Sequence, residues 1–174
     1  MNSWHTVKVK YTKEFQDGTL KRVTEPYLVS AISFTDAEAR IFQEVGEFVR
    51  GEFTVTSIAK TDFNDIIQYD DAETWYKCKV SYISEDADSG KEKKVNSNYL
   101  VSAHNVKEAY DRLEESMKGL MVSYEIPMIS LTQIVEIFPY VANEDDIIDD
   151  SKPEETDSTS SSVNVAYAIG NEEE

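Results

Sequence analysis

Apolar and polar residues alternate strictly in two runs of the chain, WHTVKVKYT at residues 4–12 and WYKCKVSYI at 75–83. A period of two predicts half-buried strands. Each run leads to a turn signal, DGTL from Asp17 and DSGK from Asp88, because glycine accepts the positive φ of a tight hairpin. A second strand follows each turn and ends in the same string, YLVSA. The pattern then switches to a period of 3.6. Phe34, Ala37, Ile41, Val45 and Phe48 form one apolar stripe, and Val106, Ala109, Leu113, Met117 and Leu120 form another. Capping boxes open both helices, Ser33 with Asp36 and Asn105 with Glu108. The shorter Asp36 makes the first box the weaker, with Thr35 and Glu38 as an alternative, and Gly51 suits the end of the first helix.

The two halves are copies. KRVTEPYLVSA at 21–31 aligns with KKVNSNYLVSA at 93–103, and SFTDAEARI at 33–41 with NVKEAYDRL at 105–113. A third strand closes each copy, FTVTSIAK from Phe53 and SYEIPMISL from Ser123. Pro127 cannot donate a ladder hydrogen bond, so its strand is expected at an edge or at a bulge. The segments FNDII and TQIVEIF that follow read equally as short strands or helical turns. The predicted fold class is α+β: two fused β-β-α-β repeats, each an antiparallel sheet covered on one face by a helix. The repeats span 1–67 and 75–140, joined by a polar linker at 68–74. Residues 141–174 hold eleven acids against one base, Lys152, and are Ser-rich without apolar periodicity, the composition of a disordered acidic tail. Within it Val163–Ile169 alternates, as a strand or a docking peptide would.

Alternation also assigns the faces. His5, Val7, Val9 and Tyr11 turn toward the first helix with Val23, Tyr27, Val29 and Ala31. The opposite face carries Trp4, Lys8, Lys10, Arg22 and Leu28. The second copy presents Trp75, Lys77, Lys79, Lys94 and Leu100 in the same way. Net charge is −17, yet these hairpins are slightly basic: residues 4–31 hold five bases and three acids, and 75–103 five and four. Cations that track phosphates beside an aromatic ring that stacks on bases suit single-stranded nucleic acid. This motivates a first expectation. The protein is a non-catalytic single-stranded nucleic-acid-binding or replication-accessory protein with an acidic regulatory tail, using Trp4, Lys8, Lys10, Arg22, Trp75, Lys77, Lys79 and Lys94. Its partners are then single-stranded DNA and a replication or host protein that docks the tail. A plainer arrangement fits the same pattern, in which Trp4 and Trp75 pack with Leu28 and Leu100 as the joint between copies and the lysines form a solvated face.

The alternative function is an acidic protein-interaction module, a nucleic-acid mimic or adaptor that binds no nucleic acid. Glu38, Glu44, Glu47, Asp111, Glu114 and Glu115 on the outer helix faces would carry it. Enzyme chemistry is not expected. Cys78 lies on an apolar strand face, His104 has no nucleophile or paired carboxylate at motif spacing, and no Gly-rich phosphate loop exists. No cofactor and no metal is expected: Cys78 with His5 and His104 lacks zinc spacing, and Asp145, Asp146, Asp149 and Asp150 lack that of a calcium loop. With no membrane-length apolar run and no signal-peptide pattern, the expected location is cytoplasmic.

The strings TEPYLVSAISFTDAEARI, WYKCKVSYI, YLVSA and EIFPY resemble an uncharacterised domain family of Bacteroidetes-type bacteria and their phages, over roughly residues 1–140. The resemblance implies a phage or mobile-element setting. It implies no activity and transfers no functional residue.

Overall fold

The computed structural model describes residues 2–140. The acidic tail and Val163–Ile169 therefore lie outside the described residues. The strands and helices are β1 (Ser3–Glu14), β2 (Leu20–Ala31), α1 (Phe34–Gly46), β3 (Phe53–Thr61), β4 (Asp65–Ile67), β5 (Trp75–Glu85), β6 (Glu92–Ser102), α2 (Val106–Met117), β7 (Tyr124–Leu131) and β8 (Ile137–Phe138). The β-β-α-β unit occurs twice, as its sequence periods require. Gly18 and Gly90 turn the hairpins with φ of 78° and 62°.

Ser33 caps α1 by accepting from the Asp36 backbone N–H at 3.1 Å, and Asn105 caps α2 by accepting from that of Glu108 at 2.9 Å. Each acid reaches back one residue beyond the cap. Asp36 Oδ2 accepts from Ile32 N–H at 2.9 Å, and Glu108 Oε2 from His104 N–H at 2.8 Å. Both boxes close in the same way, and both bonds of the first are slightly longer than those of the second, in keeping with its shorter acid. Gly51 does not end α1, which stops at Gly46. With φ of 103° it turns the chain into β3 instead.

The two closing segments are strands, and they cross over. The sheet orders are β3-β1-β2-β8 and β4-β6-β5-β7. β4, from the first repeat, pairs in parallel with β6 of the second. β8, from the second, pairs in parallel with β2 of the first. The sheets are therefore mixed rather than purely antiparallel, and each is completed by the other repeat. Pro127 lies on edge strand β7 opposite a register shift between Lys79 and Ser81. The same shift occurs in β1 between Lys8 and Val9, so the bulge belongs to the repeat and not to the proline.

Three cores result. Val7, Val9, Tyr27, Val29, Ile41 and Val45 fill the space under α1, and Cys78, Val80, Val101, Leu113 and Met117 that under α2. The helix stripes are narrower than the sequence suggests, since Phe34, Phe48, Val106 and Leu120 stay about half exposed at the helix ends. The third core joins the helix-free faces of the two sheets. Leu28, Trp75, Leu100 and Ile137 are buried there, with Trp4, Phe63, Ile66 and Ile134 packed around them. The layers run helix, sheet, sheet, helix.

Candidate functional site

The open tryptophan platform expected from the sequence is not formed. Trp75 is 3% exposed, Leu28 and Leu100 are fully buried, and Trp4 is half-buried in the same cluster. The plainer reading of these positions describes the geometry, with the indoles forming the joint. A buried ring offers no face to a base unless the sheets separate. Phe63 and Ile134 on the crossing segments cap the joint, and Thr132 donates to the Trp75 carbonyl through both N–H and hydroxyl at 2.9 Å.

The cations divide. Lys8, Lys10 and Arg22 are exposed and have no ion-pair partner among the described residues. Lys77 and Lys79 are half-buried, with the Lys77 ammonium 6.0 Å from the Phe63 ring centroid. Lys94 lies 3.6 Å from Glu125.

A matched pair of clasps escaped the sequence reading. Arg112 of α2 donates to the Ser102 carbonyl at 2.7 Å, pairs with Asp71 at 2.7 Å, and lies 4.1 Å above the Tyr69 ring. Its counterpart Arg40 donates to the Ser30 carbonyl and to the Pro139 carbonyl, and lies 5.5 Å from the Tyr140 ring. Each arginine thus holds the segment that leaves the crossing strand of the other repeat. Tyr69 N–H also donates to Ser102 Oγ at 2.7 Å, so the linker is anchored rather than loose. The available signal was the pair of tyrosines following FNDII and EIF at matched spacing.

Asp71, His104 and Glu108 bring donor atoms within 4.8 Å of one another, a candidate cation site among the described residues. Arg112 already supplies the cation, pairing with both carboxylates at 2.7 Å. Glu108 also holds the His104 imidazole at 2.8 Å, which raises its pKa through that hydrogen bond. The group is a salt-linked latch. The thiol of Cys78 is buried, and burial pushes its pKa up to about 11, so it is a core side chain rather than a nucleophile.

The repeats differ most on the helix side of the sheets, toward the hairpin turns. In the first repeat Glu25 lies on the helix-side face of the sheet, opposite Val9. Its carboxylate accepts from Tyr11 at 2.7 Å, Tyr27 at 3.0 Å and Lys13 at 2.8 Å. Burial alone would raise the carboxyl pKa, but these three donors outweigh it and leave it lowered, while the pKa of Lys13 is raised by the same contact. In the second repeat the counterparts of Tyr11 and Tyr27 are Tyr82 and Tyr99, but Glu25 becomes Ser97 and Lys13 becomes Ser84. Phe48, tilted against Tyr27 at 6.1 Å, becomes Leu120. Smaller side chains leave a cavity of about 280 Å³ lined by Asn64, Tyr82, Ser97, Tyr99, Met117, Leu120, Val122 and Tyr124. The first repeat has a cleft near this level, but it reaches neither Glu25 nor Tyr27.

No helix among the described residues is long and apolar enough to cross a membrane. No curated protein and no solved structure matches the chain. Residues 3–140, the whole duplicated body, match the family described as Domain of unknown function (DUF4494), and the chain belongs to that family.

Proposed function

We propose that the protein is a non-catalytic protein-interaction module whose working surface is the outer, acidic side of the body. The observation that carries this reading is the burial of Trp75 between the sheets, which removes the stacking half of a nucleic-acid platform, while the outer helix faces stay exposed. Those faces are not equal. On α2, Asp111 pairs with Lys107, Glu115 with Lys118, and Glu114 accepts from Tyr110. On α1, Glu38 and Glu47 are exposed with no ion-pair partner among the described residues, and Phe34, Phe42 and Phe48 stand exposed beside them. Acids interleaved with aromatic rings suit a basic, partly apolar protein surface, with charge steering the encounter and the rings supplying the contact. A cytoplasmic location, and the setting in Bacteroidetes-type bacteria or their phages that the family resemblance implies, belong to this proposal.

A second reading keeps one observation in its favour, the exposed and unpaired Lys8, Lys10 and Arg22. It is a binder of single-stranded DNA through phosphates alone, without base stacking, and strongly salt-dependent. One titration separates the two. Labelled oligothymidylate is added to the full chain and to residues 1–140 at low and moderate salt. The interaction-module reading expects no saturable binding by either. Binding that falls with salt, strengthens without the tail and disappears in K8Q/K10Q/R22Q overturns it in favour of the second. Its positive test is E38Q/E44Q/E47Q, which releases a co-purifying basic partner where K8Q/K10Q/R22Q does not. Equal retention by both variants contradicts the assignment to α1.

A further inference from the structure

We propose that the cavity beneath the C-terminal end of α2 is a binding site for a small organic acid with an apolar body, and that its own duplicate shows what it recognises. Duplication supplies an internal control, because the same two tyrosines occur in both repeats. In the first repeat their hydroxyls converge on one carboxylate oxygen, Glu25 Oε2, at 2.7 and 3.0 Å. In the second, Ser97 is too short to bring a carboxylate there, and Tyr82 and Tyr99 line open volume instead. Tyr99 accepts a hydrogen bond from Asn64 Nδ2 at 2.9 Å, and its own proton has no acceptor among the described residues. The Tyr82 hydroxyl has no hydrogen bond among the described residues. Two phenolic donors thus face a space that an external carboxylate fills as Glu25 fills its equivalent.

The rest of the lining selects the body of the ligand. Met117, Leu120, Val122 and Tyr124 are apolar or aromatic, and about 280 Å³ accommodates a short alkyl or aryl group with its acid head. Asn64 comes from the crossing segment of the first repeat, so the site exists only when the strands are exchanged. The cation that accompanies Glu25 is missing, since Ser84 replaces Lys13. The acid is therefore held by charge-assisted bonds from neutral donors. For a ligand of this size that gives a dissociation constant on the order of 1 mM.

The test uses the full chain with hexanoate and 3-phenylpropionate as probes, their neutral amides as controls, and amide NMR shifts as readout. Expected is saturable movement of signals around Ser97 and Tyr99 with the acids, and at least about fivefold weaker binding of the amides. Y82F and Y99F each weaken the acids by about tenfold. S97E, with S84K added, installs the first repeat's own carboxylate and lysine, keeps the folded spectrum and abolishes binding. E25S opens the reciprocal site, where Lys13 remains, so a second equivalent of acid binds and moves signals around Tyr11 and Tyr27. The proposal is overturned by no saturable shift with either acid up to about ten times the expected dissociation constant. Equal binding of acid and amide also overturns it, as does unchanged binding in folded S97E/S84K.

Discussion

The two repeats share their backbone and joint and differ in what fills the helix side near the hairpin turns. Trp4 and Trp75, Leu28 and Leu100, Arg40 and Arg112, and Tyr69 and Tyr140 occupy equivalent places, and all serve the contact between repeats or the clasping of exchanged segments. Glu25, Lys13 and Phe48 have become Ser97, Ser84 and Leu120. Residues that hold two halves together are constrained from both sides, because a change in one repeat is felt in both. The space under each helix is local to its repeat and is free to diverge. The joint is thus the structural commitment of this fold, and the divergent lower core of the second repeat is where a new task has room.

The comparison breaks most severely at the joint. W75A removes a buried indole and is expected to cost about 3–5 kcal/mol in denaturant unfolding. W4A, at the equivalent but half-buried position, is expected to cost about half as much. Equal costs would mean that the joint is symmetric in energy despite its unequal burial. Next comes E25S, which strands Lys13 and two tyrosine hydroxyls at a cost of about 1–3 kcal/mol, whereas S97A is expected to cost less than about 0.5 kcal/mol.

Acid sharpens the same contrast. The folded pKa of Glu25 is lowered, so its contribution is present above the unfolded carboxylate value and is lost as pH falls through the folded one. The unfolding free energy of the wild type should therefore fall more steeply than that of E25S below about pH 4.3. Parallel acid limbs would contradict the assignment. The smallest contrast lies in the clasps. R112A loses an ion pair to Asp71, one to Glu108 and a close ring contact, and is expected to cost about 1–2 kcal/mol. R40A, whose ring contact is longer and whose Glu44 lies 3.7 Å away, should cost less by chemical denaturation.

Much of the fold was legible because it is local. Strict alternation around Val7, Val9, Cys78 and Val80, glycine at both hairpin turns and a cap before each helix depend on neighbours in sequence, and each reads as it folds. The family resemblance covers the same stretch. Long-range pairing was not legible. FNDII and EIF are too short for any period to declare, and their exchange between sheets depends on which partner strand offers a free edge. The candidate site fared worse for a related reason. Alternation placed Trp75 and Lys77 on the helix-free face but could not say what faces it, and a second copy of the same face is its cover. The cavity beside Ser97 was visible in the alignment of TEPYLVSA with NSNYLVSA only as a substitution. Its meaning needed the donors that Glu25 gathers in the first repeat.

The most direct measurement is the solvent exposure of Trp75 in W4F, read by fluorescence emission and acrylamide quenching with and without excess oligothymidylate. A sealed joint gives a blue-shifted emission, protection from acrylamide, and no change on adding the oligonucleotide. A red-shifted, readily quenched indole, or one whose emission the oligonucleotide extinguishes, would contradict a sealed joint.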